Sequence, residues 1–163
     1  MSSFNKSTSI NVSNIPCFTR RNFQAWKDKM VGVFMISKVY DIVKGDTTKP
    51  AETQHPKMPT TPPVITGEMS NMDTEKAARY WTQFNVQMNY YNMQIADYNC
   101  KMSAWTDGNS QGMGIFNRAL DIGIWDQVKD MTATTTWTWL DSHYTKSSIR
   151  ATGTLPVHQG LPV

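Results

Sequence analysis

The sequence predicts an all-α protein: a helical bundle of about four to six helices with one long heptad-striped helix, a proline-rich loop and disordered termini. Apolar residues recur every three or four positions in segments 22–44, 73–105 and 113–124, which is the period of an amphipathic helix. Strand-like alternation is confined to one short stretch, MTATTTWTWLDSHY at residues 131–144. The 163 residues are enough for one domain with a buried core.

Composition favours a globular protein with weak affinity for nucleic acid. Hydrophobic residues make up 39% of the chain, and the net charge of +3 comes from 16 basic and 13 acidic residues. The basic residues are scattered, whereas strong binding to phosphate needs clustered Lys and Arg. The sequence contains no secretory signal and no run of about 20 apolar residues. We therefore expect a cytoplasmic protein with no membrane contact.

The first helical segment follows a polar tail predicted over residues 1–19. We expect this segment to break near Ser37 into two helices and to end at Gly45, which comes just after Lys44 in the last turn. Its apolar stripe consists of Phe23, Trp26, Met30, Val33, Phe34, Tyr40 and Val43.

Residues 46–72 predict a proline-rich loop. They contain five of the eight prolines and show no apolar period. Long segments without secondary structure are uncommon in compact domains, and they are either functional or simply tolerated. Of these two interpretations we favour a tolerated loop.

The longest helix signal is a heptad stripe between residues 73 and 105. Its nine residues are spaced alternately by four and three positions: Ala77, Trp81, Phe84, Met88, Tyr91, Ile95, Tyr98, Met102 and Trp105. Such a stripe is typical of a coiled-coil dimer. The candidate self-association stripe is therefore its central part: Trp81, Phe84, Met88, Tyr91, Ile95 and Tyr98. The flanking positions carry few charge pairs and large aromatics fit a two-stranded seam poorly, so packing against the chain's own segments is favoured.

The segment after the stripe contains several glycines. Residues 107–109, Asp-Gly-Asn, predict a turn, and Ser110 is a candidate cap for the next helix. The following apolar positions at helical spacing are Met113, Phe116, Leu120 and Ile124, with Trp125 and Val128 in a short further turn.

The stretch MTATTTWTWLDSHY fits two periods. Thr-Trp-Thr-Trp alternates like a strand, and both residue types are strand-prone. A helical stripe is formed by Ala133, Trp137, Leu140 and Tyr144. Because every earlier element is helical, a lone strand would have no partner for its backbone groups. We therefore predict a helix capped by Thr132 or Thr134, followed by a disordered tail over residues 150–163.

No catalytic or metal site can be recognised in the sequence. A nucleophile needs a base within hydrogen-bond reach, and the candidates are Cys17 and Cys100 with His55, His143 or His158. No catalytic motif, phosphate-binding loop or zinc-ligand spacing brings these residues together. We expect two reduced thiols and a surface position for His143. The sequence therefore predicts a protein that is not an enzyme, with no cofactor, no metal and no small-molecule substrate.

Three blocks of the chain share a pattern of aromatic and aliphatic spacing with a known family. The first is NFQAWKDKMVGVFMISKVYDIVKGDTTKP at residues 22–50. The second consists of Trp105, Asn109, Ile115, Phe116, Leu120 and Asp121. The third consists of Val128, Ala133, Trp137, Leu140 and Tyr144. In this order, over about residues 20–149, the blocks resemble the Gag polypeptide of copia-type LTR retrotransposons.

The resemblance implies a structural protein with an all-helical, capsid-like domain over residues 20–149. Such a protein multimerises into virus-like particles around the RNA of its element in the cytoplasm. The implied partners are the chain itself or full-length Gag and, more weakly, RNA. The residues implied to form the core are Phe23, Trp26, Met30, Trp105, Ile115, Leu120, Val128, Ala133, Trp137, Leu140 and Tyr144.

The chain departs from the family pattern after the third block. Family members continue with a second helical region and often a zinc knuckle of three Cys and one His, so we expect a truncated Gag-like protein. The alternative is a domesticated protein-interaction module that uses the heptad helix 77–105 without particle assembly. Burial of the stripe within the monomer would remove the main surface of that alternative.

Overall fold

A computed structural model describes residues 15–151, and all regular secondary structure in that part of the chain is helical. The absence of strands from these residues confirms the predicted all-α class. The five α-helices are α1 (Phe23–Ile36), α2 (Tyr40–Lys44), α3 (Asn71–Ala119), α4 (Ile122–Val128) and α5 (Ala133–Ala151). Most of the two predicted tails, namely residues 1–14 and 152–163, lies outside the described residues.

The chain forms two compact units. Within the described residues, the core unit comprises residues 15–48 and 107–151, and the strap unit comprises Lys49–Thr106. Helix α3 is continuous and contributes residues 71–106 to the strap unit and residues 107–119 to the core unit.

The core unit buries one hydrophobic cluster to which all five helices contribute. Five of its large members, Trp26, Met30, Phe34, Phe116 and Leu140, are each at most 1% exposed. The other members are Phe18, Phe23, Val39, Val43, Ile115, Ala119, Leu120, Ile124, Val128 and Ala133. Each large apolar side chain buried in this way contributes roughly 1.5–3 kcal/mol, so the cluster is the main source of stability in the unit.

A break separates α1 from α2 where the sequence predicts one, near Ser37. Lys38 adopts a left-handed backbone conformation with φ of 58°, and the Ser37 hydroxyl donates a hydrogen bond to the Val33 carbonyl at 2.8 Å. The predicted stop after α2 is also confirmed. Gly45 has φ of 95°, a conformation that glycine adopts without steric cost and that commonly ends helices.

The prediction of a turn at residues 107–109 is wrong, because α3 continues through these residues. Gly108 and Gly112 lie one turn apart on the face of α3 that packs against α2 and α5. A Cβ atom at Gly108 would overlap the side chain of Ile42, and one at Gly112 would lie 3.0 Å from the Cβ of Ala133. These glycines permit close approach of helices, although their local preference alone would favour a turn.

Asn109 belongs to α3 and helps to begin α5. Its Oδ1 accepts a hydrogen bond from the Ala133 N–H at 2.8 Å. Thr132 caps α5, because its hydroxyl oxygen accepts from the N–H three residues on at 3.2 Å. Thr134, the other cap candidate, instead donates its hydroxyl to the Ile42 carbonyl at 2.6 Å. MTATTTWTWLDSHY is therefore helical from Ala133 onward, as predicted.

The polar tail predicted over residues 1–19 extends too far into the chain. Phe18 is only 2% exposed, and its N–H donates to the Ala119 carbonyl at 2.9 Å. Its ring meets the Trp26 ring edge-on, with 5.0 Å between centroids. A single phenylalanine in a polar segment has no periodic signal, so the sequence pattern did not identify it as a core residue.

Gly112→Ala is expected to destabilise the protein, although alanine is the better helix former. The added methyl group would lie 3.0 Å from the Ala133 Cβ and 3.2 Å from a methyl of Val43, and both residues are fully buried. Overpacking of this kind should lower the free energy of unfolding by about 1–2 kcal/mol. Chemical denaturation followed by circular dichroism measures the change.

Gly114→Ala is the matched control on the same helix. No atom lies within 4 Å of a Cβ built at Gly114, so the substitution should raise the free energy of unfolding by about 0.5–1 kcal/mol. Stabilisation by both substitutions would contradict a close-packing role for Gly112.

Candidate protein-interaction site on helix α3

The heptad stripe is the covered face of α3 in the strap unit. Ala77 is 2% exposed, and the other eight stripe residues are half-buried. Every residue between consecutive stripe positions is exposed. The six residues predicted as a self-association stripe, from Trp81 to Tyr98, therefore all lie on one partly covered face.

A segment of the proline-rich loop covers the stripe, and we call its residues 49–63 the strap. At one end of the strap, the Lys49 Nζ lies 5.8 Å from the centroid of the Trp105 ring. At the other end, the Trp81 indole N–H donates to the Pro63 carbonyl at 3.0 Å. The strap therefore runs antiparallel to α3. Between these ends, the ring of His55 contacts the ring of Tyr98, with centroids 5.0 Å apart.

The strap is extended on both sides of a short 3-10 helix at Glu52–Gln54, and it has a period of three. Fourteen positions of strap match twenty-four positions of α3, about 36 Å, or about 2.6 Å per strap residue. This rise is close to that of polyproline II, which has three residues per turn. The half-buried strap positions are separated by multiples of three: Pro50, Pro56, Pro59 and Pro62. These prolines share one face of the strap, and that face covers the stripe.

This role was not predicted, because residues 46–72 have no apolar period and were expected to form a tolerated loop. The proline spacing was the available signal, since a period of three is unusual in a tolerated loop and natural in polyproline II. The strap unit therefore packs two different repeats against each other. The apolar residues of α3 repeat every seven positions, and the half-buried prolines of the strap are separated by multiples of three.

The opposite face of α3 exposes a second apolar surface. Met72, Val86, Tyr90 and Met93 are between 62% and 79% exposed. They lie about half a turn from the stripe and have the three-four spacing of a helix seam. The outer face, as we call it, comprises Met72, Arg79, Val86, Tyr90, Met93 and Asp97. Charged residues interrupt the apolar ones, so the sequence shows no continuous apolar stripe on this face.

Ten of the eleven predicted core residues meet in the core unit. Eight belong to the buried cluster, while Trp137 and Tyr144 are half-buried and pack against it. Trp105 is the exception, because it lies in the strap unit with its ring beneath Lys49. The boundary between the units passes just after Trp105, so the second Gag-like block is divided between them.

The polar residues of the second block have structural roles. Asn109 accepts the hydrogen bond from the first residue of α5, as described above. Asp121 caps α4, because its Oδ1 accepts from the Ile124 N–H at 3.0 Å. An asparagine and an aspartate at these positions thus stabilise the start of the two helices that follow.

Aromatic and ionic contacts join α5 to α1. The Trp137 ring lies 6.4 Å from the Trp26 ring and meets Phe34 edge-on at 5.7 Å. Beside them, the Lys27 Nζ binds Asp141 Oδ1 at 2.5 Å. The hydrogen bond from Lys27 holds the pKa of the Asp141 carboxyl below its ordinary value.

Thr136 is a buried polar residue that was not among the predicted core residues. It is 0% exposed, and its hydroxyl donates to the Met113 sulfur at 3.5 Å. Its position between Ala133 and Leu140 completes a three-four spacing on the buried face of α5. Because threonine is not an apolar residue, the predicted stripe of α5 included Trp137 but not its neighbour Thr136.

The residues considered for catalysis occupy surface positions where they are described. Cys17 and Cys100 are exposed free thiols. His143 is exposed, as predicted, and stacks on Trp139 with ring centroids 4.2 Å apart. His158 lies outside the described residues. No group of three or more His, Cys, Asp or Glu residues in the described part of the chain is placed to hold a metal ion.

Within residues 15–151, no helix is both long and apolar enough to cross a membrane. Comparison with known proteins yields no match: no protein-family model, no curated protein and no solved structure is significantly similar to the chain. The resemblance to copia-type Gag therefore rests on the three residue blocks alone.

Asp141→Asn is expected to lower the free energy of unfolding at pH 7 by less than about 1 kcal/mol, because the Asp141 side chain is 44% exposed and solvent screens its ion pair. Since the pKa of Asp141 is lowered on folding, its carboxylate stabilises the protein above the ordinary value of 3.8. That contribution is lost as the pH falls through the folded-state pKa. Denaturation curves of variant and wild type should therefore converge in acid.

Asp126→Asn is the control, since it breaks a more exposed pair with Lys129 only three residues away and should change stability less. A stability difference between wild type and Asp141→Asn that persists in acid would show that the lost ion pair is not its cause.

Trp81→Phe is expected to loosen the strap and to leave the core unit unchanged. The substitution keeps an aromatic ring but removes the hydrogen bond to the Pro63 carbonyl, worth roughly 0.5–1.5 kcal/mol. Cleavage of the strap by trypsin after Lys57 should accelerate by about two- to tenfold. Trp105→Phe, which keeps an aromatic face for Lys49, should have a smaller effect. An unchanged cleavage rate in Trp81→Phe would contradict a holding role for this bond.

Proposed function

We propose that the chain is a structural, Gag-like retrotransposon protein whose helical, capsid-like domain self-associates into virus-like particles around element RNA in the cytoplasm. It has no catalytic activity in this proposal, and its partner is itself or full-length Gag. The observation that carries the proposal is the outer face of α3, where four large apolar side chains are more than half exposed. Val86, Tyr90 and Met93 follow one another at helical spacing, and exposed apolar residues grouped in this way mark protein-interaction sites.

The packing of the three Gag-like blocks supports the same proposal. Trp26 from the first block contacts Trp137 from the third, and Phe34 from the first contacts Phe116 from the second, with 5.1 Å between the last two rings. Blocks that are far apart in sequence thus share one core. A family resemblance based on apolar spacing requires that the matching apolar residues form one core, and those of the three blocks do so with the exception of Trp105.

RNA contact is the weaker part of the proposal. The net charge is only +3, and the basic residues are spread along the chain. Binding would therefore rest on few phosphate contacts and would decline steeply with salt. RNA is expected to promote assembly at low ionic strength without tight binding to a single chain.

A domesticated protein-interaction module is the second candidate. The strap reduces the main surface of this candidate, because the stripe at residues 77–105 is half-buried, but the outer face of the same long helix stays exposed. A partner helix could pack along such a surface through anchors spaced by three and four residues. In that case the protein would bind a different chain and would not form particles.

Sedimentation velocity over a concentration series, with and without RNA, distinguishes the two candidates. The assembly proposal predicts large species that grow with concentration and are stimulated by RNA at low salt, and negative-stain microscopy should show particles. A monomer indifferent to concentration and RNA would contradict assembly and favour the module.

Tyr90→Glu should suppress the assembly, because it places a charge at the centre of the outer face. Ile122→Glu is the matched control, since Ile122 is 74% exposed in the core unit and is not part of that face. Assembly that survives Tyr90→Glu would show that the outer face is not the contact surface.

A further inference from the structure

We infer that the outer face of α3 binds the same face of a second copy in antiparallel orientation, with Arg79 of each chain opposite the partner's Asp97. The inference specifies the surface, orientation and register of the self-association on which the proposed function depends. It is carried by the positions of two charged residues among the exposed apolar ones.

Arg79 and Asp97 lie on one line along the helix. They are eighteen positions apart, which is five full turns at 3.6 residues per turn, and both are exposed. The separation is about 27 Å at 1.5 Å per residue, so the two side chains cannot bind each other within one chain. Arg79 and Asp97 can therefore bind each other only across a contact between two copies of the chain.

One symmetry axis pairs the two charged residues with each other and also pairs two of the four exposed apolar residues. A two-fold axis perpendicular to α3 at the level of residue 88 places Arg79 opposite the partner's Asp97, and by symmetry Asp97 opposite the partner's Arg79. The same axis places Val86 opposite the partner's Tyr90, because each lies two positions from residue 88. A self-complementary patch of this kind is what an isologous dimer requires.

A parallel pair would be opposed by the same charges. In register, Arg79 would face the partner's Arg79 and Asp97 the partner's Asp97, and like charges across a helix seam are destabilising. The two charges thus select the antiparallel orientation, while the apolar side chains provide the buried surface. This division of roles is common in paired helices.

The existing contact of Asp97 does not prevent the pairing. Asp97 binds Lys101 at 2.7 Å, one turn along α3, and both side chains are about two-thirds exposed, at 64% and 67%. An exposed pair of this type is weak. Asp97 can therefore exchange Lys101 for the partner's Arg79 or bind both.

Charge exchange in the full-length chain tests the inference. Arg79→Glu and Asp97→Arg should each raise the dimer dissociation constant by about tenfold at low salt, because two attractive contacts per dimer become repulsive. Sedimentation equilibrium measures the constant. An equimolar mixture of the two variants should restore it to about the wild-type value, since the mixed dimer pairs the two substituted side chains as opposite charges and keeps one native contact between Arg79 and Asp97. Lys101→Gln is the control, because it removes the same intrachain pair but keeps the charge on Asp97.

Restoration in the mixture, with no loss in Lys101→Gln, would establish the antiparallel register. Weakening without restoration would overturn it, as would a wild-type chain that stays monomeric at millimolar concentration. Particles whose formation is insensitive to both charge exchanges would overturn this inference and leave the proposed function intact. A dimer that responds as expected but never forms particles would support the inference and contradict particle assembly.

Discussion

The close approach of α3 to α2 and α5 is the constraint on which the core unit depends. Where Gly112 has no side chain, the backbone of α3 is in near contact with Ala133 and Val43. This short distance places Asn109 within hydrogen-bond reach of the first N–H of α5. It also sets the direction of α5, so that Trp137 reaches the aromatic side chains of α1. A larger residue would separate the helices and disturb all of these contacts together.

The strap unit is stabilised in a different way, because an extended segment takes the place that a second helix has in a coiled coil. Prolines restrict the backbone before folding, so ordering the strap costs less conformational entropy than ordering a flexible segment of equal length. The strap is narrow, and the stripe beneath it is only half-buried. Since the strap lies on the stripe, most of the outer face stays exposed for contact with another chain, while Asp97 at one end borders a cavity that Pro50 and Pro56 of the strap also line.

The sequence located one of the two candidate interaction surfaces. The stripe was predictable because nine apolar residues repeat without interruption. The outer face was not, because Arg79 and Asp97 occupy two of its positions and weaken the apolar period. Because one charge is positive and the other negative, they also make the two ends of the outer face different from each other. Trp105 shows a related limit, since its spacing to Asn109 fits the second block while its side chain lies in the other unit.

Repeated patterns were determined by the sequence itself: the helical class, the break near Ser37, the stop at Gly45 and the covered face of α3. A period is a local property that many residues support together, so a single exception does not change the result. The tertiary structure alone decided the roles of Phe18, Gly108 and the strap prolines. Each of these residue types has the same local preference whether it lies in a loop or in a contact, and only the atoms of a distant segment determine which one it forms.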